Sequence, residues 1–427
     1  MILLVGEEEL EPLQRASFDY FAALASAANG LIPDSTRADS HASIATVGLG
    51  LTAYAIGVNR AYMSRQQAVE RVVTTLRFFS TGVQDEAPDA TGHKGFYYHF
   101  LDMRSGRRAG GCELSLIDTS LLFAGMLTAA TFFDGDTAGE REIRVLADQL
   151  YRRADWRWAL GNRKTVAMGW KPECGFLNYD WDGYTESMIL YVLGLAAPEH
   201  TLPPRVYSAW TSTYQWENLY GYAHLYAGPL FIHQFSHLWI DFRGIQDAFM
   251  RQMNCNYFEN SRRATYAQRE YAIRNPRGFK GYGAECFGTT AGDGPGAHKH
   301  RVNGVERQFE GYTARGIPFG PDDGTISPWA VVASLPFAPE IVLPTFAHLR
   351  EHYPATTQER AFQRSFNPSF PGAGPSGWIA SELFGLELGP MVLMIENYRS
   401  GFLWKLMQRC PYIATGLRRA GFRGGWL

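Results

Sequence analysis

Residues 115–133, "SLIDTSLLFAGMLTAATFF", carry the pattern that decides the fold class, because apolar residues recur there at helical spacing. Residues 138–156, "AGEREIRVLADQLYRRADW", repeat this spacing, so the two stretches predict consecutive helices. Similar stretches lie before and after these two along the chain, and together they predict roughly a dozen helices, with alternate helices recurring about every 30 to 40 residues. With no obvious linker between them, we expect an all-α fold forming one closed helical array over residues 1–427.

Strand-like stretches are few. Residues 95–103, "GFYYHFLDM", followed by residues 106–115, "GRRAGGCELS", predict a short hairpin. Residues 275–324 are rich in glycine, and loops of this length are usually functional or mobile. We expect this segment to be a loop over one end of the array; a disordered insertion is the alternative.

The composition argues against two kinds of partner. The net charge is −2 and the pI about 6.6, which speaks against a nucleic-acid footprint or a basic membrane patch. No apolar run reaches the ~18 residues needed to cross a bilayer. The five cysteines are widely spaced and form no CxxC pair, so neither a disulfide framework nor a zinc knuckle is expected. We expect no nucleic-acid partner, no membrane partner, and a monomer or weak homo-oligomer.

The N-terminal stretch "MILLVGEEELEPL" lacks the basic segment and the full apolar segment of a signal peptide. The sequence as it stands therefore predicts a soluble cytoplasmic protein, or a periplasmic one if a leader was removed. Aromatic residues make up 14% of the chain. Trp and Tyr combine a flat apolar face with a polar tip, which suits a sugar pocket, although a large core would explain them equally well.

Residues 181–195, "WDGYTESMILYVLGL", place one acid, Glu186, between a polar aromatic loop and an apolar helix. Thr185 would cap that helix and Glu186 would lie in its first turn, where the helix dipole stabilises an anion without any function. Burial against Trp170, Trp181 and Tyr184 would instead raise the pKa of the carboxyl. If burial prevails, Glu186 keeps its proton near neutral pH, as the general acid of a glycosidase must.

A glycosidase needs a second carboxylate, and the sequence offers several. Glu113 and Asp118 lie close together, and Asp118 could simply cap the helix that follows it. Glu387 precedes a Gly-Pro pair in "FGLELGPMVLMIENYRSG". Glu396 in the same stretch is expected to pair with Arg399 or a backbone group, because an unpaired buried acid is costly.

The stretch "FIHQFSHLWIDFRG" imitates a metal site, since His233 and His237 are four residues apart and Asp241 is four further on. The metalloprotease motif needs Glu after the first His, and Gln234 stands there instead. We expect no metal. We expect these groups instead to hydrogen-bond a hydroxyl-rich ligand, with Arg243 paired to an acid.

Seven stretches in order resemble the glucoamylase-like family of bacterial endo-β-1,2-glucanases, which has relatives built into cyclic β-1,2-glucan synthases. The resemblance runs from about Leu13 to Trp404, and the seven stretches are "GFYYHFLD", "ELSLIDTSLLFAGML", "MGWKPECGFLNYDWDGYTESMILYVLGL", "HQFSHLWIDFRG", "YFENSRRATYAQR", "DGTISPWAVVASLPFAPE" and "GPMVLMIENYRSGFLW". The resemblance implies an (α/α)6 toroid of six helical hairpins, with loops and a few short strands over a cleft at one end. It implies hydrolysis of a β-1,2-linked oligo- or polysaccharide, with inversion, endo action and no metal or organic cofactor.

The resemblance, together with our own hypothesis for the site, gives expected roles to residues. Glu186 matches the family's acidic position and is expected to be the general acid; Asp118 matches a second acidic position. Glu387 is the first choice for the general base, followed by Asp118 and Glu113. The aromatic platforms for glucose rings would be Trp170, Trp181, Tyr184 and Tyr222. The groups that bond sugar hydroxyls would be His99, Gln234, His237, Asp241, Arg243 and Asp293.

Two departures from the family pattern affect the expected site. "LELGP" stands where the family often has "IDQGP", so Glu387 replaces an aspartate that is one methylene shorter. "CFGTTAGDGPG" keeps Asp293 but lacks the family's Trp at Cys286 or Phe287. Substrate chain length, and even linkage, therefore stay open. The alternatives are a transglycosylase, a phosphorylase, a hydrolase of another β-glucan, or a glycan-binding protein without turnover.

Overall fold

The computed structural model describes residues 9–356 and 364–427, and these residues are mostly helical, with short strands between the helices. The prediction of a mostly helical fold is therefore confirmed. Residues 1–8, which hold most of the stretch compared with a signal peptide, lie outside the described residues. No helix among the described residues is both long enough and apolar enough to cross a membrane.

The α-helices are α1 (Leu10–Leu24), α2 (Ile44–Asn59), α3 (Arg65–Thr81), α4 (Leu116–Phe132), α5 (Ala138–Arg152), α6 (Trp156–Leu160), α7 (Met188–Ala196), α8 (Arg205–Thr211), α9 (Ala248–Gln252), α10 (Tyr257–Arg274), α11 (Pro328–Ala333), α12 (Pro339–His352), α13 (Gly385–Ser400), α14 (Phe402–Gln408) and α15 (Pro411–Arg419). The predicted consecutive pair corresponds to α4 and α5. Short 3₁₀ turns cover Leu230–His233, Phe235–Leu238 and Pro354–Thr356.

The strands are β1 (Ala42–Ser43), β2 (Gly92–His93), β3 (Phe96–Tyr98), β4 (Phe100–Leu101), β5 (Leu114–Ser115), β6 (Gly169–Lys171), β7 (Gly175–Phe176), β8 (Trp216–Leu219), β9 (Tyr222–Leu225), β10 (Ala291–Gly292), β11 (His298–Val302), β12 (Val305–Phe309), β13 (Thr313–Ala314), β14 (Phe366–Asn367) and β15 (Trp378–Ile379). They are more numerous than the sequence predicts, because segments of two to five residues are too short to show an alternating pattern.

The described chain divides into two compact units, each built from separate segments. We call the first the Glu186 unit; it contains Phe18–Tyr214, Trp239–Asn256 and Gly401–Leu427. We call the second the Glu387 unit; it contains the described residues up to Ser17, Gln215–Leu238 and Tyr257–Ser400.

Helices α2 and α4 form the centre of the Glu186 unit. Both are buried along nearly their whole length, whereas α3 and α5 bury one face. The two central helices approach so closely that a Cβ on Gly48 would overlap the carbonyl of Leu121, and a Cβ on Gly125 would overlap the carbonyl of Gly48. Glycine at these two positions is therefore what allows the helices to pack backbone against backbone.

A five-stranded sheet in the order β2-β3-β5-β6-β7 lies in the same unit. The predicted hairpin is found in part: β3 pairs antiparallel with β5, with Tyr97 opposite Ser115. The second half of that stretch, β4, pairs with β1 instead. His99 lies between β3 and β4, and Glu113 immediately precedes β5, so this divided pairing brings both side chains to the start of α4.

In the Glu387 unit, α13 packs against α11 and is buried over most of its length. Residues 389–409 predict one helix, but Gly401 adopts a left-handed conformation (φ +63°) and separates α13 from α14. Residues 275–324 are ordered by two strand pairs, β10 with β13 and β11 with β12. Phe279, Val302 and Phe309 form a buried apolar cluster beneath them, so the disordered alternative does not hold for this segment.

Candidate active site

Glu186 lies in the turn immediately before α7. The sequence predicted Thr185 as the helix cap, but α7 begins at Met188 with Ser187 as its N-cap. Thr185 instead makes a local turn: its hydroxyl lies 2.6 Å from the Ser187 hydroxyl and accepts a hydrogen bond from the Ser187 amide. Glu186 therefore precedes the first helical turn, where the stabilisation of an anion by the helix dipole is weaker.

Burial controls the acidity of Glu186. The residue is only partly exposed, and desolvation raises the pKa of its carboxyl to about 7. The nearby charge of Asp118 raises it as well, while a hydrogen bond from its own backbone amide opposes the shift. Of the two opposing effects that the sequence suggested, burial prevails. A carboxyl with its pKa raised in this way can retain a proton near neutral pH.

The three aromatic residues expected around Glu186 differ in exposure. Trp181 is 8% exposed, and its indole N–H has no hydrogen-bond partner among the described residues. Tyr184 is half-buried and packs edge-to-face against Tyr214. Trp170 is half-buried, with one face stacked on His93. Only Trp170 and Tyr184 therefore present part of a ring to solvent, and the role of all three in sugar binding stays a prediction.

His99 lies between two carboxylates, one of which, Asp118, also influences the pKa of Glu186. Its Nδ1 is 2.9 Å from Oε1 of Glu113, and its Nε2 is 3.6 Å from Oδ2 of Asp118. Burial alone would lower the pKa of His99, but the charges of Asp118, Glu113 and Asp34 raise it to about 9. The imidazole is therefore a cation at neutral pH, and its charge and hydrogen bond hold the pKa of Glu113 below its ordinary value despite partial burial.

Ser115, and not Asp118, is the N-cap of α4. Its hydroxyl accepts a hydrogen bond from the Asp118 amide and donates one to Oδ2 of the Asp118 carboxylate. The prediction that Asp118 caps the helix is therefore wrong, because Asp118 lies in the first turn and a serine three residues earlier occupies the cap position. A serine three residues before an acid is a recognisable helix start, so this signal was present in the sequence.

Asp34 is a carboxyl that sequence analysis missed. It is half-buried, and burial raises the pKa of its carboxyl. The charge of His99 lowers this pKa and the charge of Asp118 raises it further. Nothing in its local sequence signals a role, because the groups that it faces are far away in the chain. Glu186, Asp118, Glu113, His99 and Asp34 thus form one cluster of titratable groups within the Glu186 unit, which we call the acid cluster.

The side chains of His99, Glu113 and Asp118 lie close enough together to be considered as metal ligands, the one such group among the described residues. In this structure His99 lies between the two carboxylates, with its Nδ1 2.9 Å from Oε1 of Glu113. The cluster is an ion-pair network around an imidazolium.

Glu387 lies in the first turn of α13 and is 3% exposed. A Cβ added to Gly292 would lie 3.2 Å from its Oε1, so the backbone of β10 directly borders the carboxyl group. The hydroxyls of Ser327 and Ser365, 3.0 Å from each other, border the same glycine. Asp293 follows Gly292 in the chain and is half-buried. Asp293 is therefore one residue away in the chain from the glycine that borders Glu387.

Gln234 and His237 are buried and bond to protein groups. The Gln234 amide donates to the carbonyl of Ala330 and to the hydroxyl of Ser334. His237 contacts the hydroxyl of Ser261 at 3.0 Å, and burial lowers the pKa of its ring to about 3. Two 3₁₀ turns replace the single helix considered for this stretch. Contact with a sugar hydroxyl at these positions stays a prediction.

Asp241 and Arg243 form a two-pronged ion pair in the Glu186 unit, with contacts of 2.8 and 2.7 Å. The Arg243 guanidinium lies over the ring of Trp404. Arg243 is paired to an acid, as expected from the sequence. Tyr222 lies on β9, where its ring stacks on Tyr266 at 5.3 Å. One face of Tyr222 is therefore occupied by protein, and its role as a sugar platform also stays a prediction.

The sequence model of the family described as "Putative glucoamylase" (Glycoamylase) matches residues 178–411, more than half of the chain and a range that includes Glu186 and Glu387. The chain belongs to this glucoamylase family. The resemblance drawn from the sequence is thereby confirmed at the family level.

Three relatives of this glucoamylase-family chain are informative. An exo β-1,2-glucooligosaccharide sophorohydrolase (non-reducing end) from Parabacteroides distasonis is 27% identical over 97% of this chain, and the chain spans 58% of that relative's length. A crystal structure from Bacteroides uniformis, given the same description as the family, is 29% identical, with a TM-score of 0.87 and 100% of both chains covered. The Chitinophaga pinensis endo-β-1,2-glucanase, solved with sophorotriose and glucose, is 26% identical, with a TM-score of 0.83 and 100% of both chains covered.

Proposed function

We propose that this chain is a glycoside hydrolase that cleaves β-1,2-linked glucan. The observation that carries the proposal is the state of Glu186, a partly exposed carboxyl whose pKa is raised to about 7 beside a cluster of carboxylates. A general acid at neutral pH needs such a group. The names of the relatives supply the substrate class, since one acts on β-1,2-glucooligosaccharides and another is an endo-β-1,2-glucanase.

In the proposed mechanism Glu186 gives its proton to the glycosidic oxygen as the bond from the anomeric carbon to that oxygen breaks. A second carboxylate takes a proton from water, and the water oxygen bonds to the anomeric carbon from the opposite face, which inverts its configuration. Glu387 is our first choice for this base, because it is a buried carboxyl bordered by hydroxyls and glycine backbone. Asp118 and Glu113 are the second and third choices for the base, because each already forms an ion pair with His99.

The proposed sugar contacts are the ring faces of Trp170, Tyr184 and Tyr222 and the indole N–H of Trp181. His99, Asp293, Gln234, His237, Asp241 and Arg243 remain the proposed partners of sugar hydroxyls. For the buried residues among these proposed partners of sugar hydroxyls, contact with the sugar would require a change in side-chain position. Single alanine variants test each position, because loss of a binding residue should raise KM whereas loss of a structural residue should lower stability instead.

The mode of action has two candidates. We propose endo cleavage, as the Chitinophaga pinensis relative's name describes. Exo release of a disaccharide is the second candidate, because the curated Parabacteroides distasonis relative bears that name and matches 97% of this chain. Early products of mixed length from long β-1,2-glucan would support endo action, and a single disaccharide product from the first minutes would support exo action.

We also propose that residues 1–427 act as one catalytic domain with the (α/α)6 toroid of the family. In support, α2, α4, α7 and α13 are buried on nearly all sides, as inner helices would be, and α3 and α5 bury one face. One cooperative unfolding transition, the same by circular dichroism and by tryptophan fluorescence, is expected. Two separated transitions would contradict a single domain.

Incubation with linear and cyclic β-1,2-glucan, with and without inorganic phosphate, tests the activity. Release of free reducing sugar that does not depend on phosphate is expected. Sugar phosphates would identify a phosphorylase, and longer products than the substrate would identify a transglycosylase. Binding without any product would favour a glycan-binding protein and would refute hydrolysis.

A further inference from the structure

Arg315 is an unusually buried cation within the glycine-rich residues 275–324. Its side chain is 1% exposed, and it pairs with the equally buried Asp323 through two contacts of 2.7 and 2.9 Å. Burial alone would raise the pKa of Asp323, but the Arg315 guanidinium holds it below its ordinary value. In the local sequence "FGPDDGTISP", Asp323 would by itself be interpreted as a turn residue. An arginine is rarely placed in such surroundings without specific partners.

The remaining donors of Arg315 bind the backbone of its own segment. Nη1 donates to the carbonyl of Gly292 at 2.9 Å, and Nη2 donates to the carbonyls of Glu310 and Gly311 at 3.0 Å each. A Cβ on Gly294 would overlap the guanidinium, so the chain passes very close to it. Through this single planar group, β10 is tied to the residues just before β13.

Gly292 is also the residue that borders Glu387. A Cβ at this position would lie 3.0 Å from Oγ of Ser327, 3.1 Å from Oγ of Ser365 and 3.2 Å from Oε1 of Glu387. The carbonyl of Gly292 therefore binds Arg315, while the space that a side chain on Gly292 would enter borders the carboxyl group of Glu387. Any shift of β10 toward or away from α13 changes the space in which the Glu387 side chain lies.

We propose that Arg315 is a positioning residue for Glu387: by holding the Gly292 carbonyl it fixes β10 against the carboxyl group and the two serine hydroxyls. This inference rests on the proposed function, because it takes Glu387 as the general base. Lysine would keep the charge beside Asp323 but could not hold three carbonyls with one planar fork, so the role requires arginine and not merely a cation.

Gly292→Ala tests the contact between β10 and Glu387. The added methyl group meets only side-chain atoms at 3.0–3.2 Å, so the chain is expected to fold, with the Glu387 carboxyl displaced by a few tenths of an ångström. Gly283→Ala is the matched control, because this glycine belongs to the same segment and a Cβ there has no neighbour closer than 4.0 Å. We expect kcat on β-1,2-glucan to fall at least about tenfold in Gly292→Ala, with KM little changed, and both to be normal in Gly283→Ala.

Arg315→Lys tests the source of the positioning. We expect a lower Tm together with a fall in kcat of at least about tenfold, measured well below the Tm, where the variant is fully folded, and again with little change in KM. A lower Tm with normal kcat in Arg315→Lys would show that Arg315 only stabilises the fold. Normal kcat in Gly292→Ala would show that the contact between β10 and Glu387 does not affect turnover. Either result overturns the inference.

Glu387→Gln separates this inference from the proposed function. Loss of activity in Glu387→Gln with normal kcat in Arg315→Lys would reject the positioning role alone. Normal activity in Glu387→Gln would reject Glu387 as the base and the inference with it. A wild-type protein that releases no sugar from β-1,2-glucan would reject the proposed hydrolase and, since it depends on that activity, the inference.

Discussion

Glu186 owes its raised pKa first to burial and then to the nearby charge of Asp118. The dipole of a helix stabilises anions mainly within the first turn, and this carboxyl lies before that turn. Desolvation and the charge of Asp118 therefore exceed the stabilising effect of one backbone hydrogen bond. A helix that began two residues earlier would favour the ionised form and remove the proton that the proposed reaction needs.

Glu186→Gln is expected to lower turnover by at least ~10²–10⁴-fold, the usual contribution of general acid catalysis. The amide has nearly the same shape as the carboxyl group but cannot donate a proton to the glycosidic oxygen at neutral pH. Initial rates on β-1,2-glucan measure the effect, and an unchanged circular dichroism spectrum shows that the fold is retained. Turnover close to that of the wild type would remove Glu186 from the role.

The same substitution should change how stability depends on pH. The pKa of Glu186 is higher in the folded state, so its contribution to stability is complete at low pH and is lost as the pH rises through about 7. Glu186→Gln has no proton to lose, so we expect it to be more stable relative to the wild type at pH 8 than at pH 5. Urea unfolding at the two pH values provides the comparison; an equal difference at both would contradict the raised pKa.

His99 gives a prediction with a different pH window. The negative groups that face it, Glu113, Asp118 and Asp34, raise its pKa to about 9. Its ion pairs therefore stabilise the fold fully below about pH 6.5 and progressively less as the pH rises through about 9. We expect the loss of stability in His99→Gln to be larger at pH 6 than at pH 10. A loss that does not depend on pH would mean that only the packing of the ring against Phe100 matters.

At the level of secondary-structure elements, the residue that caps α4, Ser115, also bonds a carboxylate of the acid cluster. The Ser115 hydroxyl bonds both the amide and the carboxylate of Asp118, and Thr137 makes the same two bonds to Glu140 at the start of α5. The two caps are alike in geometry. Only the first one leads to a carboxylate whose charge reaches Glu186.

Ser115→Ala and Thr137→Ala form a matched pair of variants. Each is expected to lower the free energy of unfolding by about 1 kcal/mol through loss of an N-cap. Only Ser115→Ala should also change catalysis, because Asp118 loses the hydroxyl that orients it beside His99 and Glu186. Denaturant unfolding and kcat measured together test this; equal kcat in the two variants would show that the orientation of Asp118 is unimportant for turnover.

For the whole molecule, inversion predicts the configuration of the first product. A β-linked substrate should release α-configured reducing ends, which then mutarotate slowly in water. Proton NMR of the anomeric region during the first minutes of reaction distinguishes the two anomers. Initial formation of the β-anomer would indicate retention and would call for a nucleophile in place of a general base.

The sequence predicted the long helices of this molecule well, but it predicted the long-range side-chain contacts and the short strands poorly. Apolar periodicity predicted α4 and α5, and the stretch around Glu186 directed attention to a carboxyl whose pKa is raised by burial. The position of Asp34 beside His99, and that of Arg315 between Asp323 and Gly292, could not be predicted, because these contacts join residues whose local patterns carry no sign of them. The short strands were missed for a related reason, since pairing partners and not propensity create two-residue strands.

Each compact unit consists of segments that are far apart in the chain, and this affects how the protein can be made. The Glu186 unit receives α14 and α15 only when Gly401–Leu427 has left the ribosome, and α15 packs closely on α7 through Gly416. A nascent chain that ends before this point leaves the apolar surface of α7 uncovered. Truncated chains that stop after α13 should therefore aggregate during expression, even though they retain every carboxyl group discussed above.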